Sequence, residues 1–415
     1  MMVNSWIDGK VNDLLIGLES GVSVNGTERT LVHNEKAVLK VSAVSYGKFD
    51  PLALKVIDDV QELSRAKVNP KAGQIIISRS NTENLVGASA YIEQDYPNLF
   101  LPDKLWQTIP KPNTEMKWLS YVLASEHARY TLSKLATGTS GSMKNITQDE
   151  LLSLKIAIPP LPEQKKIAQI LSTWDQAITA TEQLLTNSQQ QKKALMQQLL
   201  TGKKRLLDDS GVVFSGEWEQ VKVSDLLKNR KEKQIPTADV PLFSLTIEDG
   251  VTPKSDRYNR EFLVKNTDEK KYKVVRPKDI VYNPANLRWG AINYSRVAHS
   301  VVVSPIYEVL YVAEKDKISL EFIAQKLMTR DQINRFAAMV EGTLVERMAV
   351  KIEPFLATKL SIPPSLKEQQ EIAAVLSAAD QEIETLQKKL ECLKQEKKAL
   401  MQQLLTGKRR VKVDA

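Results

Sequence analysis

The sequence predicts two globular segments of mixed strands and helices, which alternate with two long helices that pair with each other as an antiparallel coiled coil. The stretch KKALMQQLLTGK at Lys192–Lys203 recurs unchanged at Lys397–Lys408, an offset of 205 residues. A solenoid would repeat at roughly 20–50 residues, so this distance indicates a duplicated domain-plus-helix unit. The segments before the two helices are alike in layout and different in sequence.

Both helices carry the spacing of a coiled-coil seam, with apolar residues separated alternately by three and four positions. The residues predicted to pair the helices are Ile167, Leu171, Trp174, Ile178, Leu185, Leu195, Leu199, Ile372, Leu376, Ile383, Leu386, Leu390, Leu400 and Leu404. Another protein could cover such a stripe. The other copy in the same chain is the simpler partner, and two-fold symmetry would make the pair antiparallel.

The ends of both helices can be placed from capping signals. Pro162 lies near the start of the first helix, and Ser365 with Glu368 fits a capping box at the start of the second. Thr-Gly-Lys ends each copy, with glycine as the C-cap and cations beside the negative end of the helix dipole. The rise per residue then gives each helix a length of roughly 55 Å.

Composition indicates a multidomain protein and suits a nucleic-acid partner, although many ordinary proteins share the same basic excess. The chain has 415 residues and a formal net charge of +8, a basic excess that suits a polyanion. The one cysteine, Cys392, excludes a disulfide framework within the chain. We find no secretory segment and no apolar run long enough for a membrane span, so we expect a cytoplasmic protein without a membrane partner.

The order of segments predicts four parts, which are residues 1–155 (head one), 156–205 (the first helix), 206–357 (head two) and 358–415 (the second helix). Each head contains a short apolar strand, 73–78 and 278–283, followed by a polar loop that ends at Gly87 or Gly290. A helix follows in each head, because Trp118-Leu119 is answered by Phe322-Ile323. We therefore expect two different heads carried on nearly identical spacers.

The motif IPPLPEQ at 158–164, followed by a helix ending in LLTGK and present again in altered form from Ile362, resembles the specificity subunit of type I restriction–modification enzymes. The resemblance covers essentially the whole chain. It implies two α/β (α+β) target-recognition domains, each reading one half of a bipartite site on double-stranded DNA. It also implies helices that set the spacing and dock two modification (methyltransferase) subunits, with restriction subunits completing the nuclease. S-adenosylmethionine, ATP and Mg are then expected on the partner subunits, and no cofactor on this chain.

The polar loops supply the candidate DNA-binding residues, because Arg matches the two acceptors of guanine and Asn matches the acceptor–donor pair of adenine. The alternative is that Asn only shapes a turn and Arg pairs with a nearby acid. Trp289 could stack on DNA or pack in the core. The full candidate set is Arg79, Ser80, Asn81, Thr82, Asn84, Ser140, Ser142, Lys144, Asn145, Asn286, Arg288, Trp289 and Arg347.

Enzyme patterns in the sequence are weak, so we predict no catalytic residue and no metal site. Pro102-Asp103 with Glu115-x-Lys117 fits a loose nuclease pattern, but head two has no acids at the matching place. Tyr282-Asn283-Pro284-Ala285 lacks the aromatic residue of an amino-methyltransferase motif. The alternatives are a self-contained nuclease or methyltransferase with duplicated recognition domains, and a coiled-coil scaffold that binds no DNA.

Overall fold

A computed structural model of the chain describes residues 6–138, 143–247, 250–253, 270–341 and 348–413. The chain forms two compact units, Met1–Glu182 with Lys388–Ala415, and Gln183–Gln387. Each unit contains one head and one half of each long helix. The division therefore passes through the middle of both helices, and the predicted four-part division by chain segment stays a prediction.

Head one is built mostly from short strands around a four-stranded antiparallel sheet. The strands are β1 (Ile7–Lys10), β2 (Leu15–Ser20), β3 (Ala37–Leu39), β4 (Val44–Ser45), β5 (Lys48–Phe49), β6 (Leu54–Val56), β7 (Ile75–Ser78), β8 (Ser80–Asn81), β9 (Ser89–Tyr91), β10 (Leu99–Phe100), β11 (Leu105–Pro110), β12 (Lys144–Asn145) and β13 (Lys155–Ile158). The helices are α1 (Val60–Arg65), α2 (Met116–Ala124), α3 (Glu126–Leu135) and α4 (Gln148–Leu152). The main sheet has the order β2-β11-β7-β9.

The apolar strand predicted at 73–78 is confirmed as β7, whose residues are all buried. Leu132 of α3 and Trp118 of α2 share a core with Ile75 and Ile77, and the same core includes Ile167 of the first long helix. Strands β1 and β13 pair along their full length, so the two ends of head one meet where that helix begins. The helix and the head are therefore parts of one hydrophobic core.

Head two repeats this plan. Its strands are β14 (Glu219–Lys222), β15 (Leu227–Asn229), β16 (Lys233–Gln234), β17 (Phe243–Thr246), β18 (Gly250–Pro253), β19 (Tyr272–Val275), β20 (Ile280–Tyr282), β21 (Ile292–Tyr294), β22 (Val301–Val303), β23 (Glu308–Val312) and β24 (Lys359–Ile362). Its helices are α6 (Val223–Leu226), α7 (Leu320–Leu327), α8 (Arg330–Ala338) and α9 (Ile352–Ala357). The main sheet, β15-β23-β20-β21, places β20 third, as β7 is in head one.

The two long helices are α5 (Leu161–Leu199) and α10 (Leu366–Leu404), each of 39 residues. They pair within each unit by polar contacts across the seam. In the first unit Lys397 lies 2.5 Å from Asp175, and Lys394 lies 2.8 Å from Glu182. From the first pair to the second, the residue number falls along α10 and rises along α5, so the helices run antiparallel there, as the sequence predicts.

The second unit has the matching pair of half-helices. Ser188 donates a hydrogen bond of 3.1 Å to Glu382, and Lys192 forms an ion pair with Asp380. Lys192 and Lys397 occupy the same place in the repeat, so the same Lys–Asp contact forms once in each unit. The predicted fold class of two mixed α and β domains with two long antiparallel helices is confirmed.

Candidate nucleic-acid interface

Two polar segments of head one, far apart in sequence, lie side by side. Strands β8 and β12 pair antiparallel, with Asn81 opposite Lys144 and Ser80 opposite Asn145. The Ile146 N–H donates to the carbonyl of Arg79 at 2.9 Å. Both segments that the sequence suggested for DNA contact therefore belong to one surface of the head.

The side chains of the two segments differ in their exposure to solvent. Thr82 and Asn84 are exposed, Asn145 is exposed, Lys144 is half-buried, and Ser80 is buried at 3% exposure. The structure thus presents most of this set at the surface, but not the hydroxyl of Ser80. Ser140 and Ser142 lie outside the described residues.

Arg79 and Asn81 already make contacts within the protein. The Arg79 Nε donates to the carbonyl of Asp103 at 2.8 Å, and its guanidinium lies 3.6 Å from the Asp103 carboxylate. The Asn81 side chain donates to Ser78 Oγ at 3.3 Å and accepts from the Thr82 N–H at 2.8 Å. These are the turn-shaping and acid-pairing roles of the alternative interpretation. Arg79 nevertheless keeps 38% side-chain exposure, so part of its guanidinium faces solvent.

Sequence patterns did not single out Arg129 of α3, which contacts the backbone of the polar loop of head one. Its guanidinium donates to the carbonyl of Asn84, and Ser133 of the same helix donates to the carbonyl of Glu83 at 3.1 Å. Burial lowers the pKa of Arg129 below its ordinary value. The repeat offers no signal for this role, because the equivalent position in head two, at an offset of 204 residues, is the apolar Ile333.

Head two has its loop at the equivalent place after β20. The Val350 N–H donates to the carbonyl of Pro284 at 3.0 Å, as Ile146 does to Arg79 in head one. Asn286 is exposed and precedes a 3₁₀ turn, Leu287–Trp289, that ends at Gly290 with φ +95°. This left-handed conformation favours glycine and turns the chain back toward β21.

Arg288 and Trp289 lie together on this loop. The Arg288 guanidinium lies 5.2 Å from the Trp289 ring, within cation–π distance, and donates to the sulfur of Met348 at 3.5 Å. Trp289 is 65% exposed, so it is not a core residue, which was one of the two alternatives. The remaining candidate, Arg347, lies outside the described residues.

The head–helix joints are equivalent in the two units. In the first unit Glu163 accepts hydrogen bonds from Arg410 and from the Trp6 indole, and the Arg410 contact holds the pKa of Glu163 below its ordinary value. In the second unit Arg205 forms a two-pronged ion pair with the buried Glu368. Each joint therefore connects the start of one long helix with the basic segment that follows the end of the other long helix.

The second joint corrects the predicted capping box. Ser365 Oγ does accept the Glu368 N–H at 3.3 Å, which is one half of that motif. The Glu368 carboxylate, however, accepts two hydrogen bonds from Arg205. The guanidinium is a charged donor, so its bonds to the buried carboxylate are stronger than the bond from the backbone N–H that a capping box would supply.

None of the seam residues predicted from the heptads is fully exposed. Half-buried residues are Trp174, Leu185, Leu195, Ile383, Leu386, Leu390 and Leu400, whereas buried residues are Ile167, Leu171, Ile178, Leu199, Ile372, Leu376 and Leu404. Leu184, one position off the seam, is 53% exposed. Ile167, Leu171 and Leu404 lie in the hydrophobic core of head one, and Leu199, Ile372 and Leu376 lie in that of head two.

The residues of the loose nuclease pattern make structural contacts. Asp103 forms an ion pair with Arg79, and Lys117 forms one with Glu93. Glu115 caps α2 by accepting a hydrogen bond from the Lys117 N–H at 3.3 Å. Within the described residues no cluster of His, Cys, Asp and Glu could hold a metal ion. Over the same ranges, no helix is long and apolar enough to cross a membrane.

Comparison with known proteins identifies relatives over the whole chain. The putative type I restriction enzyme MjaX specificity subunit of Methanocaldococcus jannaschii is 24% identical over 424 residues, covering 98% of this chain and 94% of the relative. The EcoEI specificity subunit of Escherichia coli is 25% identical over 186 residues, covering 44% of this chain and 31% of that protein.

Two solved structures share the fold. A type I restriction–modification S subunit from M. genitalium superposes with a TM-score of 0.61 at 14% identity, covering 98% of this chain and 97% of that one. A chain from a study of assembly and conformational transition of a type I R-M system gives a TM-score of 0.54 at 16% identity, covering 99% and 100%.

The family described as "Type I restriction modification DNA specificity domain" matches twice, at residues 27–187 and 215–395. Each match contains one polar loop and at least the first half of the long helix that follows its head. Two matches to one family fit the duplication seen in the sequence and the two heads seen in the structure. The chain is therefore a member of the type I restriction–modification DNA specificity family, and it is a DNA-recognition subunit with two recognition domains.

Proposed function

We propose that each head reads one half of a bipartite DNA sequence and that the paired helices set the distance between the halves. One observation carries this proposal. The two heads present polar loops at the same place after the third strand of their sheets, and these loops differ in sequence, whereas the helices share the unchanged block Lys192–Lys203 and Lys397–Lys408. Two different recognition heads carried on a repeated spacer helix suit a DNA target whose two half-sites differ in sequence.

The loop chemistry supports direct reading of bases. In head two, Arg288 and the exposed Asn286 have the donor and acceptor patterns that match guanine and adenine in the major groove. In head one, Asn84 and Asn145 are the exposed amides of the same surface. Lysine and arginine elsewhere on the basic chain would supply phosphate contacts, which position the protein without selecting sequence.

We also propose that the chain is a non-catalytic assembly subunit. Two modification subunits would dock on the helices, and restriction subunits would complete the nuclease. The partner subunits would then hold S-adenosylmethionine, ATP and Mg. The repeat supports two docking sites, because the block that both helices share without a change can present the same surface to each of two identical partners.

The first test is selection of binding sites from a random duplex pool, with the chain assembled with its modification partner. We expect two short enriched blocks separated by an unread gap of fixed length. A single contiguous block would contradict split recognition. No enrichment at any salt concentration would favour a scaffold that binds no DNA, and metal-dependent cleavage by the pure chain would favour a self-contained nuclease.

Arg288→Ala tests the assignment of head two. Loss of a bidentate contact to guanine should cost about 1–3 kcal/mol of discrimination at one position of one half-site. Arg296→Ala is the matched control, because Arg296 is an exposed arginine of the same head that also lies over an aromatic ring, Tyr294. The control should leave the selected sequence unchanged, and an altered half-site for head one in Arg288→Ala would refute the assignment.

Insertion of one heptad in each helix tests the spacer. Seven residues placed between positions 182 and 183, and seven between 387 and 388, keep the heptad phase in both helices. They add about 10 Å of helix, so the gap should lengthen by about three base pairs at roughly 3.4 Å per pair. Altered half-sites with an unchanged gap would rule out the spacer role.

A further inference from the structure

A tight hairpin in head one has an unusual residue at its tip. Strands β4 and β5 are joined by Tyr46 and Gly47 alone, with φ +45° and +81°. Positive φ at both central residues defines a type I′ turn, for which Asn, Asp and Gly are the favoured residues. A bulky residue such as tyrosine rarely adopts this conformation, and backbone outliers of this kind gather at functional sites.

Two contacts fix this tip beside the candidate DNA-binding loop. The Gly47 N–H donates to the carbonyl of Ser89 at 3.0 Å, at the start of the strand that follows the loop. The Arg129 guanidinium lies 5.1 Å from the Tyr46 ring while it donates to the carbonyl of Asn84. Arg129 thus contacts the hairpin tip and the loop together, and the Tyr46 ring remains 67% exposed.

Head two has a corresponding hairpin, in which β17 and β18 pair antiparallel. Strand β18 of this hairpin packs on β21, the last strand of its main sheet, as β4 and β5 pack on β9. Ile247 follows β17 directly and is 46% exposed. A Cβ atom added to Gly290 would lie 3.9 Å from Ile247 Cγ2, so this side chain adjoins the loop that carries Trp289.

We propose that the residue directly after the first hairpin strand is a second DNA-contacting element of each head, with Tyr46 and Ile247 making apolar contact with bases of the half-site that their own loop reads. This inference rests on the proposed function of the heads. The common feature is an exposed apolar side chain directly after that strand, beside the polar loop. Residues 248 and 249, which complete the hairpin connection of head two, lie outside the described residues. Apolar side chains read the methyl group of thymine in the major groove and wedge between base steps in the minor groove.

The difference between these two side chains matters for specificity. An aromatic ring can stack on an exposed base face, whereas isoleucine offers only aliphatic contact. The two heads would therefore differ in a second reading element as well as in their polar loops. In head one Arg129 is a positioning residue, because its guanidinium contacts both the Tyr46 ring and the carbonyl of Asn84 in the loop.

Tyr46→Asn separates a DNA contact from a structural role. Asparagine is favoured in type I′ turns, so the hairpin should be kept or stabilised while the ring is lost. With the assembled complex we expect roughly five- to a hundredfold weaker binding to the selected site, the range for loss of one aromatic–base stack. We expect lost preference in the head-one half-site only, with unchanged thermal stability. Val60→Ala is the control, because Val60 is 80% exposed on α1 of the same head.

A photocross-link identifies direct contact. With p-benzoylphenylalanine in place of Tyr46, irradiation should attach the chain to DNA within the head-one half-site, whereas the same probe in place of Val60 should not. An affinity within twofold of the unmodified complex for Tyr46→Asn, or no cross-link from position 46, would overturn the proposal. If the Tyr46 tests fail but the unmodified complex still selects a split site, the proposed function stands without this inference. If the unmodified complex selects no split site, the proposed function itself is refuted.

Discussion

Arg205→Met should be among the most damaging single changes in the second unit. Arg205 Nη2 lies 2.6 Å from Glu368 Oε2, and its Nη1 donates to the carbonyl of Gly216 at 2.9 Å. The side chain of Glu368 is 0% exposed and that of Arg205 is 19% exposed. Loss of the arginine leaves a buried carboxylate without a counter-charge, which costs about 3–5 kcal/mol.

The equivalent joint in the first unit supplies a matched control. Arg410 pairs with Glu163 in the same way, but the arginine side chain is 40% exposed and the carboxylate 7% exposed. Water can approach that carboxylate more easily when the arginine is removed. Arg410→Met should therefore destabilise its joint clearly less than Arg205→Met destabilises the other.

Hydrogen exchange measured by mass spectrometry is the suitable assay, because the chain has two compact units and two-state unfolding of the whole cannot be assumed. The free energy of opening is compared for peptides covering the start of α10 and the start of α5. The double change Arg205→Met with Glu368→Met should recover most of the loss, since it removes the unpaired charge. A larger effect for Arg410→Met than for Arg205→Met would refute the argument from burial.

Two further changes test buried polar groups of the two units. Burial lowers the pKa of Lys326, whose ammonium donates to the carbonyl of Leu200, from 10.5 to about 8. The unfolded chain therefore binds more protons between these values, and the protein should gain stability relative to Lys326→Met as the pH rises from 8 to 10. Urea unfolding at pH 7.5 and 9.5, followed by mass spectrometry of peptides from the second unit alone, measures this, and an opposite slope would contradict it. Tyr121→Phe removes the hydroxyl that donates to Asp175 at 2.6 Å, at a cost of about 1.5–3 kcal/mol. An unchanged urea midpoint for peptides of the first unit would show that solvent replaces this bond.

Much of the fold could be predicted because its signals are local. The two long helices and the apolar strands β7 and β20 are each predicted from patterns within a short stretch of sequence, and the structure confirms them. The capping box predicted for Ser365 and Glu368 was wrong in part. A capping box is read from four neighbouring residues, whereas the partner that the carboxylate meets, Arg205, lies 163 residues away.

The candidate interface was less predictable, because it is assembled from distant segments. The pairing of β8 with β12 joins residues more than 60 positions apart. Arg129 has no sequence motif, and its place beneath Asn84 follows only from the packing of α3 on the sheet. A side chain's exposure likewise depends on the whole head, as the contrast between buried Ser80 and exposed Thr82 shows.

By itself the sequence determined the duplication and the two long helices, since a helix repeats every 3.6 residues and its buried face can be recognised from the spacing of apolar residues. The tertiary structure decided which half of each helix belongs to which head, which acid each arginine meets, and which side chains share the surface beside each polar loop. These depend on hydrogen bonds and packing between residues far apart in the chain. No local pattern encodes such contacts, because their free energy is gained only when the whole domain has closed around them.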